Sequence, residues 1–217
     1  MRIIMLPQYT ALLDQERQEV FRKLHHFANR FVLAGGTAIM MQIGHRQSFD
    51  FDCFSEKTLP ENLVQHTKNI FGRSIYLQYK TSEQLTFKTN KGISITFVYH
   101  PYKLLRKPIK TPFISLFHLD DLATNKAYTI GRRAAWRDYV DLFFLLKRNL
   151  YNLEKVIKLT EKKFPNEFNE KLFLQQLVYF DDLDIIPMVF IKDKYSEKQI
   201  QSFLSQKVEE YLKQKLG

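Results

Sequence analysis

The run Phe49-Asp50-Phe51-Asp52-Cys53-Phe54 constrains this chain more than any other segment. Apolar side chains alternate with two acids, and only an extended strand turns that alternation into one apolar face and one polar face. Phe49, Phe51 and Cys53 are then expected to point into a core, with Asp50 and Asp52 projecting together on the opposite side. Two carboxylates a few ångströms apart repel unless a cation lies between them. A hard divalent ion such as Mg2+, which takes oxygen ligands from carboxylates and from substrate phosphates, is the natural one. Taken alone, such a pair is more often a solvated strand face, so its neighbours decide its meaning.

The neighbour that matters is Gly35-Gly36-Thr37, with Thr37 lying 13 residues before Asp50. Residues 30–34 read as a short buried strand, and the two glycines end it sharply. Thr37 then opens an apolar helix through Ile43, for which Gly44 is a fitting stop. A glycine turn at a helix start lets backbone N–H groups approach a phosphate closely, and the Thr37 hydroxyl would add a donor. The pattern is not a P-loop, because no Gly-Lys-Thr follows. Strand, Gly-Gly-Thr, helix, strand and Asp-x-Asp in that order predict a phosphate cradle beside a cation site, which is what nucleotidyl transfer needs.

Elsewhere the periodicity predicts a helix over 10–29 with Thr10 as its cap, and another over 60–70 begun by Pro60. Three strands follow near 73–80, 83–89 and 92–99, with Asn90-Lys91-Gly92 turning between the last two. Residues 101–112, rich in proline and lysine, read as a connection. Helices are expected at 118–131, 136–148, 151–163, 168–178 and 197–215. The chain is therefore expected to be α+β, with a mixed sheet flanked by helices in a core domain over 1–110. A helical domain over 111–217 would contribute to the active-site cleft.

Hydrophobic residues make up 45% of the 217, enough for a real core. No apolar run is long enough to cross a bilayer, and the amino terminus does not read as a signal peptide. Cys53 is the single cysteine, so no intrachain disulfide can form, and a reduced, cytoplasmic setting is expected. The formal net charge is +10 and uneven: residues 1–110 hold 16 Lys+Arg against 8 Asp+Glu, residues 111–217 hold 17 against 15. Within 72–110 eight cations face Glu83 alone, interleaved with Tyr76, Tyr79, Phe87 and Tyr102. A basic, aromatic surface of this kind favours a nucleic-acid partner, whereas solvation of an exposed sheet is the plainer alternative. The histidines lack ligand spacing, so no zinc site is expected. His45 reads as a loop residue more readily than as a phosphate donor, and Trp136 as a packing residue.

Two blocks of sequence resemble a known family. Leu33-Ala34-Gly35-Gly36-Thr37-Ala38 with Gly44-His45-Arg46-Gln47-Ser48-Phe49-Asp50-Phe51-Asp52-Cys53-Phe54 forms the first block. Leu119 to Ala127, Arg133, and Arg137-Asp138-Tyr139-Val140-Asp141-Leu142 form the second. Both look like the signature of the AbiEii/AbiGii toxins, which include the MenT-type toxins, within the DNA polymerase β-like nucleotidyltransferases. The resemblance implies a minimal nucleotidyltransferase fold and specific roles. Gly35, Gly36 and Thr37 would contact the nucleotide triphosphate, with Ser48 at the edge near phosphate. Asp50 and Asp52 would hold Mg2+. Lys126 would reach the phosphates from the helical half, and Asp138 or Asp141 would complete the site. A lysine is a usual phosphate partner, and Asp138 and Asp141 share one helix face. The plainer alternatives are a solvated lysine and ion pairs from the two acids to Arg133 or Arg137.

One departure stands out. Members of the superfamily often carry a third carboxylate on a later strand, yet Ile93-Ser94-Ile95-Thr96-Phe97-Val98-Tyr99 has no acid. Phe97-Val98-Tyr99-His100-Pro101-Tyr102 does resemble a subset of the family at this strand. The expected activity is Mg2+-dependent transfer of a nucleoside monophosphate from an NTP to an acceptor. By resemblance the acceptor is RNA, tRNA in particular, and the protein is the toxin of a toxin–antitoxin or phage-defence system with a cognate antitoxin. The alternatives are transfer to a protein hydroxyl or to a small molecule such as an aminoglycoside, and a non-catalytic nucleotide- or RNA-binding module. Asp52→Ala and Lys126→Ala are both expected to remove activity and leave the fold intact.

Overall fold

The computed structural model describes residues 6–133 and 135–216. Residues 1–5, part of the amino terminus considered above, lie outside them. The chain forms two compact units, one ending at His118 and the next beginning at Leu119.

The first unit carries a five-stranded mixed sheet: β1 (Val32–Ala34), β2 (Phe51–Ser55), β3 (Tyr76–Lys80), β4 (Gln84–Lys88) and β5 (Ser94–Tyr99), in the order β1-β2-β5-β4-β3. Strands β2 and β5 run parallel, and the other pairs are antiparallel. A parallel pair needs a crossover, and α3 (Leu63–Phe71) lies within it. The alternation read from the sequence holds along these strands. Phe51, Cys53, Leu85, Phe87, Ile95 and Phe97 are buried, while Asp52, Thr86 and Thr96 between them are half-buried. Phe27, Phe31, Phe71, Phe87 and Phe97 stack on the apolar face with ring centroids 4.6–6.3 Å apart.

Three expectations are corrected here. The helix expected over 10–29 is broken into a 3-10 turn at Thr10–Leu12, α1 at Gln15–Lys23, and a second 3-10 turn at Leu24–Phe27. Its cap is Asp14, whose side chain accepts from the Arg17 N–H at 2.8 Å, whereas the Thr10 hydroxyl donates to the Pro7 carbonyl. A carboxylate at the cap also meets the positive end of the helix dipole. Phe49 is 47% exposed, because the strand begins only at Phe51, and the Arg17 guanidinium covers its ring. Phe87, one of the aromatics read as a nucleic-acid contact, is wholly buried and belongs to the core.

The second unit is helical: α4 (Leu119–Ile130), α5 (Trp136–Lys147), α6 (Leu153–Lys163), α7 (Glu170–Leu177) and α8 (Glu197–Leu216). These bounds agree with the helices expected from periodicity to within one or two residues. Asn152 and Asn169 cap α6 and α7 through side-chain acceptance from the backbone N–H groups of Lys155 and Leu172, the third residue of each helix. Helix α5 is buried nearly all round, as a central helix must be, and α4 packs against α5, α6 and α7. Trp136 is buried beside Tyr139, with ring centroids 6.3 Å apart. Among the described residues no helix is long and apolar enough to cross a membrane.

Candidate active site

Helix α2 (Gly35–Ile43) starts on the two glycines and stops at Gly44, which takes a left-handed conformation. Gly35 also has a positive φ of 67°, so a side chain there would strain the backbone. It would also occupy the space of the Asp52 carboxylate, whose Cγ would lie 3.0 Å from a β-carbon at position 35. A β-carbon at Gly36 would stand 2.6 Å from Arg46 Nη2 and 3.0 Å from Ser48 Oγ. Close approach and backbone conformation require glycine at 35, and what approaches the two glycines is Asp52 on one side and Arg46 with Ser48 on the other. The register of β1 with β2 agrees, because Ala34 stands opposite Asp52.

Asp50 immediately precedes β2 and Asp52 lies within it, and both are half-buried. Thr37 takes a different place from the one expected. It is 1% exposed, and its hydroxyl donates to the Asp50 carbonyl at 2.5 Å while lying 3.0 Å from Ser48 Oγ. That hydroxyl has one proton and has given it to the backbone. Its part here is thus to tie α2 to the segment that presents Asp50.

The sequence reading passed over Arg46. It is 5% exposed, and its Nη1 donates to the Gln47 carbonyl at 2.9 Å. The signal was present in the run Arg46, Ser48, Asp50, Asp52, where every second residue is polar. A buried guanidinium beside a helix N-terminus adds positive charge where backbone N–H groups already point.

The donors gathered around this turn are carboxylate and hydroxyl oxygens. The one thiol nearby, Cys53, faces the core, and burial, reinforced by the Asp52 charge, holds it well above its ordinary pKa. An all-oxygen set suits a hard cation such as Mg2+ and offers nothing to a soft one. Thr96 of β5 stands opposite Asp52 of β2, and the Thr86 hydroxyl donates to it at 3.3 Å. No group of three or more His, Cys, Asp or Glu side chains with metal-binding geometry occurs among the described residues.

In the helical unit, Lys126 Nζ lies 2.6 Å from Asp138 Oδ1 and 2.6 Å from Asp141 Oδ2. The shared face expected for the two acids is present, and both are used on the same lysine. Asp138 also receives the Arg133 guanidinium at 3.1 Å, so the expected ion pair to Arg133 coexists with the lysine contact. The Lys126 side chain is only 10% exposed. Lys126→Ala would therefore remove the cation that two buried carboxylates share, while Asp138 keeps its pair to Arg133. Burial, with the charges of Asp182 and Asp138, raises the pKa of the adjacent Tyr139, whose hydroxyl donates to the Gln176 carbonyl at 2.9 Å. Asp120 accepts from the Tyr151 hydroxyl at 2.6 Å, and Asp121 pairs with Lys163 at 2.8 Å, with both side chains of that pair wholly buried.

Comparison with known proteins identifies the family and the fold. An uncharacterised protein of Aquifex aeolicus (strain VF5) is 32% identical over 206 residues, covering 92% of this chain and 98% of that one. The solved structure of MenT4, a nucleotidyltransferase toxin from Mycobacterium tuberculosis H37Rv, superposes with a TM-score of 0.58 at 16% identity. It covers 91% of this chain and 82% of its own. JHP933 from Helicobacter pylori superposes with a TM-score of 0.53 at 18% identity, covering 92% and 91%. At such identities these two structures speak for the fold. The sequence model of the type IV toxin–antitoxin nucleotidyl transferase AbiEii toxin matches residues 20–214, the glycine turn, the acidic pair and the Lys126 network included. The chain is therefore a member of the AbiEii nucleotidyltransferase toxin family, and an enzyme of the nucleotidyltransferase type.

Proposed function

We propose that this enzyme moves a nucleoside monophosphate from an NTP to RNA, tRNA in particular, as the toxin of a toxin–antitoxin or phage-defence pair with a cognate antitoxin. The observation that carries the proposal is the approach of Asp52, Arg46 and Ser48 to the two glycines that open α2. In this reading the N–H groups at Gly35, Gly36 and the Thr37 backbone, with the Arg46 guanidinium and the Ser48 hydroxyl, bind the triphosphate. Asp50 and Asp52 hold Mg2+. When bound there, the ion neutralises charge on the phosphate oxygens and eases displacement at phosphorus.

An acceptor hydroxyl oxygen attacks the α-phosphorus in line. A P–O bond forms to the acceptor as the bond to the pyrophosphate oxygen breaks, and pyrophosphate leaves with that electron pair. The acceptor's proton passes to a carboxylate, Asp52 in this reading, since β5 beside it carries no acid. Lys126 and Asp138 keep functional roles as a cation and its anchor, with Asp138 and Asp141 fixing the direction of Nζ. The eight cations of 72–110 are all exposed, which supports a polyanionic acceptor.

The test incubates the protein with Mg2+, each labelled NTP in turn, and total tRNA. Label in the RNA, lost in Asp52→Asn, is the expected result. Label on protein with none in RNA would replace the acceptor, and no transfer from any NTP would overturn the reading.

A further inference from the structure

The polar face of the sheet continues well past the acidic pair. Register carries one row straight across it: Asp52 stands opposite Thr96, Thr96 opposite Thr86, and Thr86 opposite Tyr79. A second row, two residues along, runs from Ser94 to Lys88 to Tyr76. Residues directly opposite one another share a face, so both tyrosines lie on the side that bears Asp52. That placement is not automatic. Tyr76 and Tyr79 are three residues apart and would alternate to opposite faces, but the register shifts between Leu77 and Tyr79, and the extra residue restores Tyr79 to the face of Tyr76. The rings are 68% and 53% exposed, and Lys88 sits beside Tyr76. Three strand spacings separate Asp52 from Tyr79, about 14 Å, a reach that a few nucleotides span.

We infer that this face, from β5 to the β3 edge, is the track along which a single-stranded stretch of the acceptor RNA lies, its bases stacked on Tyr76 and Tyr79 and its backbone against Lys88. The inference rests on the RNA-acceptor reading above and extends it to a surface. Exposed rings at intervals with cations between them are what sequence-tolerant single-strand binding requires. The charge is complementary, since Arg73, Lys80 and Lys88 are all exposed on or around these strands, with Glu83 the one acid of residues 72–110. Pairing of the β3 edge with a second copy is the less favoured occupant, because the register shift and the terminal Lys80 both interrupt an edge ladder.

The test measures binding of a short fluorescein-labelled single-stranded RNA of mixed sequence by anisotropy, and label transfer to tRNA, with wild type, Tyr76→Ala/Tyr79→Ala, Tyr76→Phe/Tyr79→Phe and Lys88→Ala. The alanine pair is expected to weaken RNA binding about 30-fold or more, with each ring worth roughly 5- to 100-fold, while the phenylalanine pair retains it. Lys88→Ala is expected to reduce the slope of log affinity against log salt by about 0.7. Thermal midpoints report folding, and exposed rings are expected to leave them unchanged. If wild type labels RNA and the alanine pair binds RNA equally well, the surface is wrong and the acceptor reading stands. Wild type that neither binds nor labels RNA overturns both. Self-association of wild type that the alanine pair abolishes, seen by sedimentation, makes this face a contact between copies and overturns the inference.

Discussion

Gly35→Ala is the most informative single change. The residue has a φ of 67°, where an L side chain costs about 1–2 kcal/mol. The new methyl would also meet Asp52, with the carboxyl carbon at 3.0 Å and the β-carbon at 3.1 Å, so the whole acidic side chain must move, not only its tip. At Gly36 the neighbours are the ends of Arg46 and Ser48, which can swing aside, and φ is not positive. Gly35→Ala is therefore expected to lower the thermal midpoint by about 2–8 °C. It is also expected to cut transfer at least about 100-fold, since misplacing a catalytic group by an ångström costs that much. Gly36→Ala is expected to raise the NTP KM with a smaller loss of kcat. Calorimetry and steady-state transfer on the pair read both effects. If Gly35→Ala kept the wild-type midpoint and rate, the packing of Asp52 against the glycine turn would not be part of the site.

Other outcomes follow from particular contacts. Thr37→Val removes the bond to the Asp50 carbonyl and leaves a buried acceptor unsatisfied, so urea unfolding is expected to show a loss of about 1–3 kcal/mol. Lys126→Met removes the cation shared by buried Asp138 and Asp141, leaving Asp138 its Arg133 pair, and is expected to cost about 3–5 kcal/mol by the same assay, whereas half-buried Asp52→Asn is expected to abolish transfer with little change in stability. Glu170 has competing influences: burial raises its pKa, but hydrogen bonds from Lys215 and Tyr211 outweigh that and hold it below 4.5. A lowered carboxyl stabilises the fold above its ordinary pKa and loses that contribution as pH falls through the folded value. Glu170→Gln should therefore flatten the acid side of the stability profile, and an unchanged profile would remove the α7–α8 tie from the account.

Much of this architecture is legible in residue order. The alternation of Phe51, Asp52 and Cys53 and the glycines at 35 and 36 specify the strand, the turn and the helix start without help from distant parts of the chain. Helix bounds in the second unit are legible because apolar periodicity runs unbroken between turn residues. What could not be read depends on partners far apart in sequence or on local competition. Asp14 outcompetes Thr10 as a cap because it also pairs with Arg17. Phe49 is exposed because pairing with β5 begins only at Phe51. The burial of Lys126, and of Asp121 with Lys163 on another helix, is set by packing that no spacing reveals. The register shift that gathers Tyr76 and Tyr79 on one face is likewise invisible until the strands are paired.

The central claim is nucleotidyl transfer from the glycine turn and acidic pair, and the position of the label in the NTP tests it most directly. The same NTP is supplied with label at the α-phosphate or at the γ-phosphate, with Mg2+ and total tRNA, to wild type and to Asp50→Asn/Asp52→Asn. Nucleotidyl transfer predicts that α-label enters the acceptor, that γ-label leaves as pyrophosphate, and that the double variant does neither. Entry of γ-label into the acceptor, or undiminished transfer by the double variant, would contradict it.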